Sequence, residues 1–139
     1  MKSAIFSFVL LGGLLLTVLS FADTAHDAVL AQLAAEAKQS DPSFTSFSAE
    51  RGAQFWQAQH TGGKPDIPSC TTCHTKDPTA EGRTRAGKTI APMAVSRKPD
   101  RFTDPAKVEK WFSRNCNIVL GRPCTAAEKG DIITYLSTQ

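Results

Sequence analysis

The run Cys70-Thr71-Thr72-Cys73-His74 decides how the rest of the chain is read. Two thiols three positions apart, followed at once by an imidazole, form the C-x-x-C-H pattern of covalent haem attachment. The chemistry sets the spacing: both thiols add to the vinyl groups of one porphyrin, and the next residue puts a nitrogen beneath the iron. Cys70 and Cys73 are therefore the candidate attachment points for one haem c, and His74 is the candidate proximal ligand. Other uses of C-x-x-C ask for company that the chain does not supply. Zinc needs a second ligand pair at short spacing, and Cys116 and Cys124 do not form one. A thioredoxin-like redox pair needs a βαβ pattern, and none flanks Cys70.

Residues 1–22 read as a signal peptide. Lys2 precedes an apolar run from Ala4 to Leu19, and Ser20-Phe21-Ala22 gives the small-residue pattern of a cut after Ala22. The run is short for a membrane span. The remaining residues make one small domain, with an N-terminal helix and linker over residues 23–47 and a haem-bearing body over residues 48–139. Export to the periplasm places the chain where cysteines stay oxidised, so four cysteines divide into two on haem and two in a disulfide.

The formal charge is +3, and it is unevenly spread. From Asp23 to His60 there are two basic and five acidic residues; from Arg83 to Arg114 there are nine basic and three acidic. In an exported haem protein this balance points to docking on an acidic redox partner rather than to nucleic acid. A solvated surface with salt bridges to haem propionates accounts for the same charges.

Helical periodicity dominates. Thr24 and Asp27 have the spacing of a capping box, and Val29, Leu30, Leu33 and Ala37 come at helical intervals up to Pro42. Ser40 to Phe47 reads as a linker. Ser48 caps a second helix whose Gly52, Phe55, Trp56 and Gln59 share one side, ending at Thr61-Gly62-Gly63-Lys64-Pro65. His60, at that helix end, is expected to face solvent rather than a metal. Thr75 to Arg101 shows little periodicity, and a stretch that long is expected to wrap on the cofactor. Asp104-Pro105 starts a helix in which Val108, Trp111 and Phe112 form an apolar face, running out at Arg114-Asn115-Cys116-Asn117. Thr125 and Glu128 cap the last helix, whose Ile132, Ile133, Tyr135 and Leu136 are expected to pack on Gly52, Phe55 and Trp56.

Helices at both ends, C-x-x-C-H after the Gly-x-x-aromatic helix, and Tyr135-Leu136 near the terminus resemble class I cytochromes c. The resemblance implies an all-α fold wrapped around one covalently attached haem. It leaves the iron's second axial position to be assigned. Met93 follows Pro92, as in methionine-ligated cytochromes, but it lies only 19 residues after His74, earlier than the class I ligand loop. The later position belongs to Asn115, which on the residues alone reads as a helix C-cap before it reads as a ligand.

A narrower likeness bears on that choice. Thr61-Gly-Gly-Lys-Pro-Asp-Ile-Pro-Ser-Cys-Thr-Thr-Cys-His74, Lys88-Thr-Ile-Ala-Pro92, Pro99-Asp-Arg-Phe-Thr-Asp104, Val108-Glu-Lys-Trp-Phe-Ser-Arg-Asn-Cys-Asn117 and Gly121-Arg-Pro-Cys-Thr125 resemble the sphaeroides haem protein family from about Glu50 onward. The resemblance implies His74 and Asn115 as axial ligands of ferric iron, with a disulfide between Cys116 and Cys124; Met93 departs from the family pattern. It also implies a redox partner such as a dihaem cytochrome c, one able to relay electrons from a membrane cytochrome b. An amide is a hard, neutral ligand, better matched to ferric than to ferrous iron, so reduction is expected to free Asn115 and admit oxygen or nitric oxide. The competing expectations are a plain electron carrier ligated by His74 and Met93, and an enzyme that turns over oxygen or a nitrogen oxide at the open site.

Overall fold

Capping chemistry sets most of the boundaries. The computed structural model describes residues 21–139, and the expected signal peptide, residues 1–22, lies almost wholly outside them. Helix α1 spans Phe21–Ser40 and stops short of Pro42, as the sequence suggests. Its start differs: Thr24 sits inside the helix rather than capping it, because the backbone is already helical from Phe21. Helix α2, Ala49–Gln57, is capped by Ser48, whose hydroxyl accepts the Arg51 N–H at 3.2 Å. The single turn α3, Thr71–His74, carries the C-x-x-C-H motif.

Between α3 and the next helix the chain is irregular except for two short strands, β1 (Gly82–Arg83) and β2 (Thr89–Ile90), paired antiparallel with Gly82 opposite Ile90. Two-residue strands have no alternation to read, which is why the sequence carries no sign of them.

Helix α4, Pro105–Leu120, begins as expected: the Asp104 carboxylate accepts the Lys107 N–H at 3.1 Å and Pro105 takes the first position. It does not run out at residues 114–117. The helix continues to Leu120 and ends on Gly121, whose φ of +70° is the left-handed cap that a side chain would strain. Asn115 is therefore mid-helix, and the reading of it as a C-cap is excluded. Helix α5, Ala126–Ser137, opens with the full capping box of Thr125 and Glu128.

Helix α5 is the centre of the fold. Ile133 and Leu136 are wholly buried, each contributing about 1.5–3 kcal/mol. On one side Val29 and Leu33 of α1 and Val108 of α4 pack on Ile133, so the first helix is part of the core. On the other side Trp56 of α2 packs with Ile132, Tyr135 and Leu136, as expected. The α2 crossing depends on Gly52: a Cβ there would stand 2.0 Å from the Asp131 carbonyl oxygen. An ion pair fastens the same crossing, with Arg51 Nε and Nη2 donating to the two oxygens of the buried Asp131 at 2.7 and 2.8 Å. Lys129 and Glu109 tie α5 to α4.

Candidate haem site

Ser69 prepares the motif. Fully buried, its hydroxyl donates to the Trp56 carbonyl at 3.2 Å and accepts the Thr71 N–H at 3.2 Å, so the chain turns into α3 beside α2. The turn closes with the His74 N–H on the Cys70 carbonyl at 3.0 Å. Cys70, Cys73 and His74 consequently share one helical turn. Thr75 then takes φ +64°, an uncommon conformation for a non-glycine, and its carbonyl accepts the Trp56 indole N–H at 3.2 Å. The Trp56 ring lies 5.4 Å from the His74 ring and 6.5 Å from Tyr135.

All three motif residues line one cavity of about 730 Å³, within the usual range for cofactor sites of about 300–1,000 Å³. The α4 face of Val108, Trp111 and Phe112 forms part of its wall, as expected. Trp111 is the one large hydrophobic side chain that stays exposed among the described residues. Cys116 and Cys124, bonded to each other with Cα atoms 5.5 Å apart, also border the cavity.

Both candidates for the second axial position line the same cavity. Of the two asparagines flanking Cys116, only Asn115 does so; Asn117 is two positions further round the helix and donates to the Ser113 carbonyl at 2.7 Å. The Asn115 amide has no hydrogen-bond partner among the described residues. Met93 packs against the cluster of Trp56, Ile132, Tyr135 and Leu136, the cluster that also receives Cys70.

The remaining histidines stand elsewhere. His26 Nε2 meets the Ser137 hydroxyl at 2.9 Å. His60 donates from Nε2 to the Phe55 carbonyl at 3.0 Å and lies against the Phe55 ring, so it is half-buried and structural rather than solvent-facing.

The electrostatics suit a haem ligand set. Burial, with help from the Arg101 charge, holds the His74 imidazole down at about 4, so it is neutral and able to ligate at ordinary pH. Burial pushes the Cys70 thiol up to about 11. His74 Nδ1 is buried without a hydrogen-bond partner, a cost of about 1–3 kcal/mol that a fixed cofactor in the cavity would have to justify. Two free thiols and a neutral imidazole on one turn of one apolar cavity fit haem c. The sequence reading missed two contributors: Trp56, assigned only to helix packing, also stacks beside His74, and Arg101 lines the cavity from a stretch with no periodic signal.

The cytochrome c-type protein SHP of Cereibacter sphaeroides is 59% identical over 91 residues, covering 66% of this chain and 70% of the relative. The chain belongs to the sphaeroides haem protein family of c-type cytochromes. A family model described as a domain of unknown function (DUF1924) matches residues 42–136. Among solved structures, oxidised SHP, described as an oxygen-binding cytochrome c, superposes with a TM-score of 0.75 at 50% identity, covering 82% of this chain and 96% of that one. The solution structure of Methylophilus methylotrophus cytochrome c'', described as giving insight into haem-ligand detachment, gives a TM-score of 0.72 at 31% identity, covering 84% and 94%. The all-α class I-like fold expected from the sequence is the fold of this family.

Proposed function

We propose that this chain is a periplasmic monohaem cytochrome c that carries its haem on Cys70 and Cys73, with His74 as the proximal ligand and Asn115 as the distal ligand when oxidised. On reduction Asn115 withdraws, and a diatomic molecule such as oxygen or nitric oxide takes its place. The observation that carries the reading is the position of Asn115: mid-helix on α4, in the wall of the cavity that His74 also lines. The ligand chemistry of the two relatives, described as oxygen binding in one and haem-ligand detachment in the other, runs in the same direction.

Haem c supplies a one-electron centre with a coordination position open to exchange. The protein's own residues do the rest. His74 ligates in its neutral form, which burial maintains. Asn115 offers a hard oxygen that suits ferric better than ferrous iron, and it does not titrate, so its release follows redox state and not protonation. The Cys116–Cys124 bridge fastens the residue next to Asn115 to the start of α5. A released amide therefore stays near the cavity, where its N–H groups can donate to the incoming molecule. The electron arrives from a redox protein such as a dihaem cytochrome c, itself supplied by a membrane cytochrome b, and the basic residues between Arg83 and Arg114 favour an acidic docking face.

Met93 lines the same cavity, and this gives the plain His74/Met93 electron carrier its one observation. The packing of Met93 on the Trp56 cluster, whose ring borders His74, counts against a place opposite His74. Two variants decide. Asn115→Ala is expected to change the ferric absorption spectrum while Met93→Ala leaves it nearly unchanged; the reverse outcome would establish the methionine-ligated carrier.

A further inference from the structure

Six cationic side chains line the cavity: Lys64, Arg85, Lys98, Arg101, Lys107 and Arg114. Three have carboxylate partners: Arg85 with Asp66 at 2.7 Å, Lys98 with Asp100 at 2.8 Å and Lys107 with Asp104 at 3.4 Å. Lys64 and Arg114 are exposed to water, and Arg114 also lies over the Trp111 ring at 5.5 Å. Arg101 is unlike the others. It is half-buried, it pairs with no carboxylate among the described residues, and the neighbouring Asp100 is already engaged by Lys98.

Its orientation is nonetheless fixed. Arg101 Nε donates to the Pro92 carbonyl at 3.0 Å and Nη2 to the Ala91 carbonyl at 2.7 Å. These two bonds hold the guanidinium plane in the cavity wall and leave Nη1 with no acceptor among the described residues. A partly desolvated cation held rigid with free donors is unfavourable unless an anion meets it. The planar fork of a guanidinium matches a carboxylate in two parallel bonds.

We infer that Arg101 is the counter-ion of a haem propionate, positioned by the Ala91 and Pro92 carbonyls before the haem arrives. The inference rests on the proposed haem attachment and extends it to a residue outside the C-x-x-C-H turn. A fixed positive charge beside the porphyrin favours the reduced form, so Arg101 also raises the potential at which Asn115 lets go.

The test compares haem-loaded wild type with Arg101→Gln, Arg101→Lys and Arg97→Gln, the last removing one exposed charge from the same loop away from the cavity. Midpoint potentials are read by spectroelectrochemical titration, and the propionate bending band by resonance Raman spectroscopy. The expected result is a lower potential and a shifted band in Arg101→Gln, partial recovery of the potential in Arg101→Lys, and neither change in Arg97→Gln. Equal potentials in Arg101→Gln and Arg97→Gln, or a lysine variant as low as the glutamine one, would overturn the inference. Should Arg101→Gln fail to accumulate, Arg101→Lys alone decides: its propionate band must move from the wild-type position, and an unmoved band overturns the assignment. Failure of the underlying haem reading looks different, since the wild-type chain would then keep the mass of the unmodified polypeptide.

Discussion

Gly52→Ala tests how the fold positions His74. At an exposed helix site alanine is better than glycine by about 0.5–1 kcal/mol. Here the added Cβ would stand 2.0 Å from the Asp131 carbonyl oxygen, 2.6 Å from its carbon and 2.8 Å from Tyr135 Cβ. Two of those atoms are backbone of α5, and the Asp131 side chain is itself held by Arg51 and by the Ser48 N–H at 2.7 Å, so nothing nearby yields cheaply. Overpacking of this kind costs about 1–3 kcal/mol, and contact with rigid backbone puts this case at the upper end. The net loss is then about 2 kcal/mol, or roughly 8–16 °C in Tm for a domain near 100 residues. Thermal unfolding of the ferric protein, followed by far-ultraviolet circular dichroism, measures it. Because Trp56 moves with α2 and its ring lies beside His74, the absorption of the haem proposed to sit on His74 should shift as well. A Tm equal to or above that of the wild type would refute the packing argument, since only the helix-propensity gain would then be visible.

Other perturbations probe the same structure. Replacing both Cys116 and Cys124 by alanine opens a loop of sequence separation 8 and should cost about 2–3 kcal/mol in urea unfolding; an unchanged midpoint would contradict the bridge. Burial would raise the Glu128 carboxyl, but the Arg122 guanidinium and the Thr125 backbone N–H outweigh it and hold the group below its ordinary 4.5. A depressed carboxylate stabilises the fold above its unfolded value and loses that contribution as pH falls through its folded value. Glu128→Gln should therefore be less stable than wild type at neutral pH and lose less stability on acidification below 4.5, which acid titration of the unfolding free energy would reveal. Trp56→Phe keeps a ring beside His74 but leaves the Thr75 carbonyl without its donor, at a cost of about 1 kcal/mol in the same unfolding assay.

Much of this was legible in the sequence because capping is local. Ser48, Asp104 and Thr125 each begin a helix where their side chains say it should begin. The end of α4 was not legible at Asn115-Cys116-Asn117, since residues with modest helix propensity are carried along when the helix buries a face beyond them, here Cys116, Val119 and Leu120. The true signal was Gly121 followed by Pro123, a left-handed cap ahead of a proline. That displacement matters for the site, because it turns Asn115 from a cap into a side chain with a defined direction. The C-x-x-C-H turn identified three cavity residues outright. Arg101 could not be singled out, because it is one of seven basic residues between Thr75 and Arg101, a stretch without periodicity, and only folding shows which of them lies half-buried in the cavity wall without a carboxylate partner.

In the proposed function an asparagine amide leaves the iron when an electron arrives. Reducing the wild-type protein under nitrogen and adding carbon monoxide shows whether it does. A high-spin ferrous spectrum and rapid binding of carbon monoxide are expected. A low-spin ferrous spectrum that carbon monoxide leaves unchanged would contradict it.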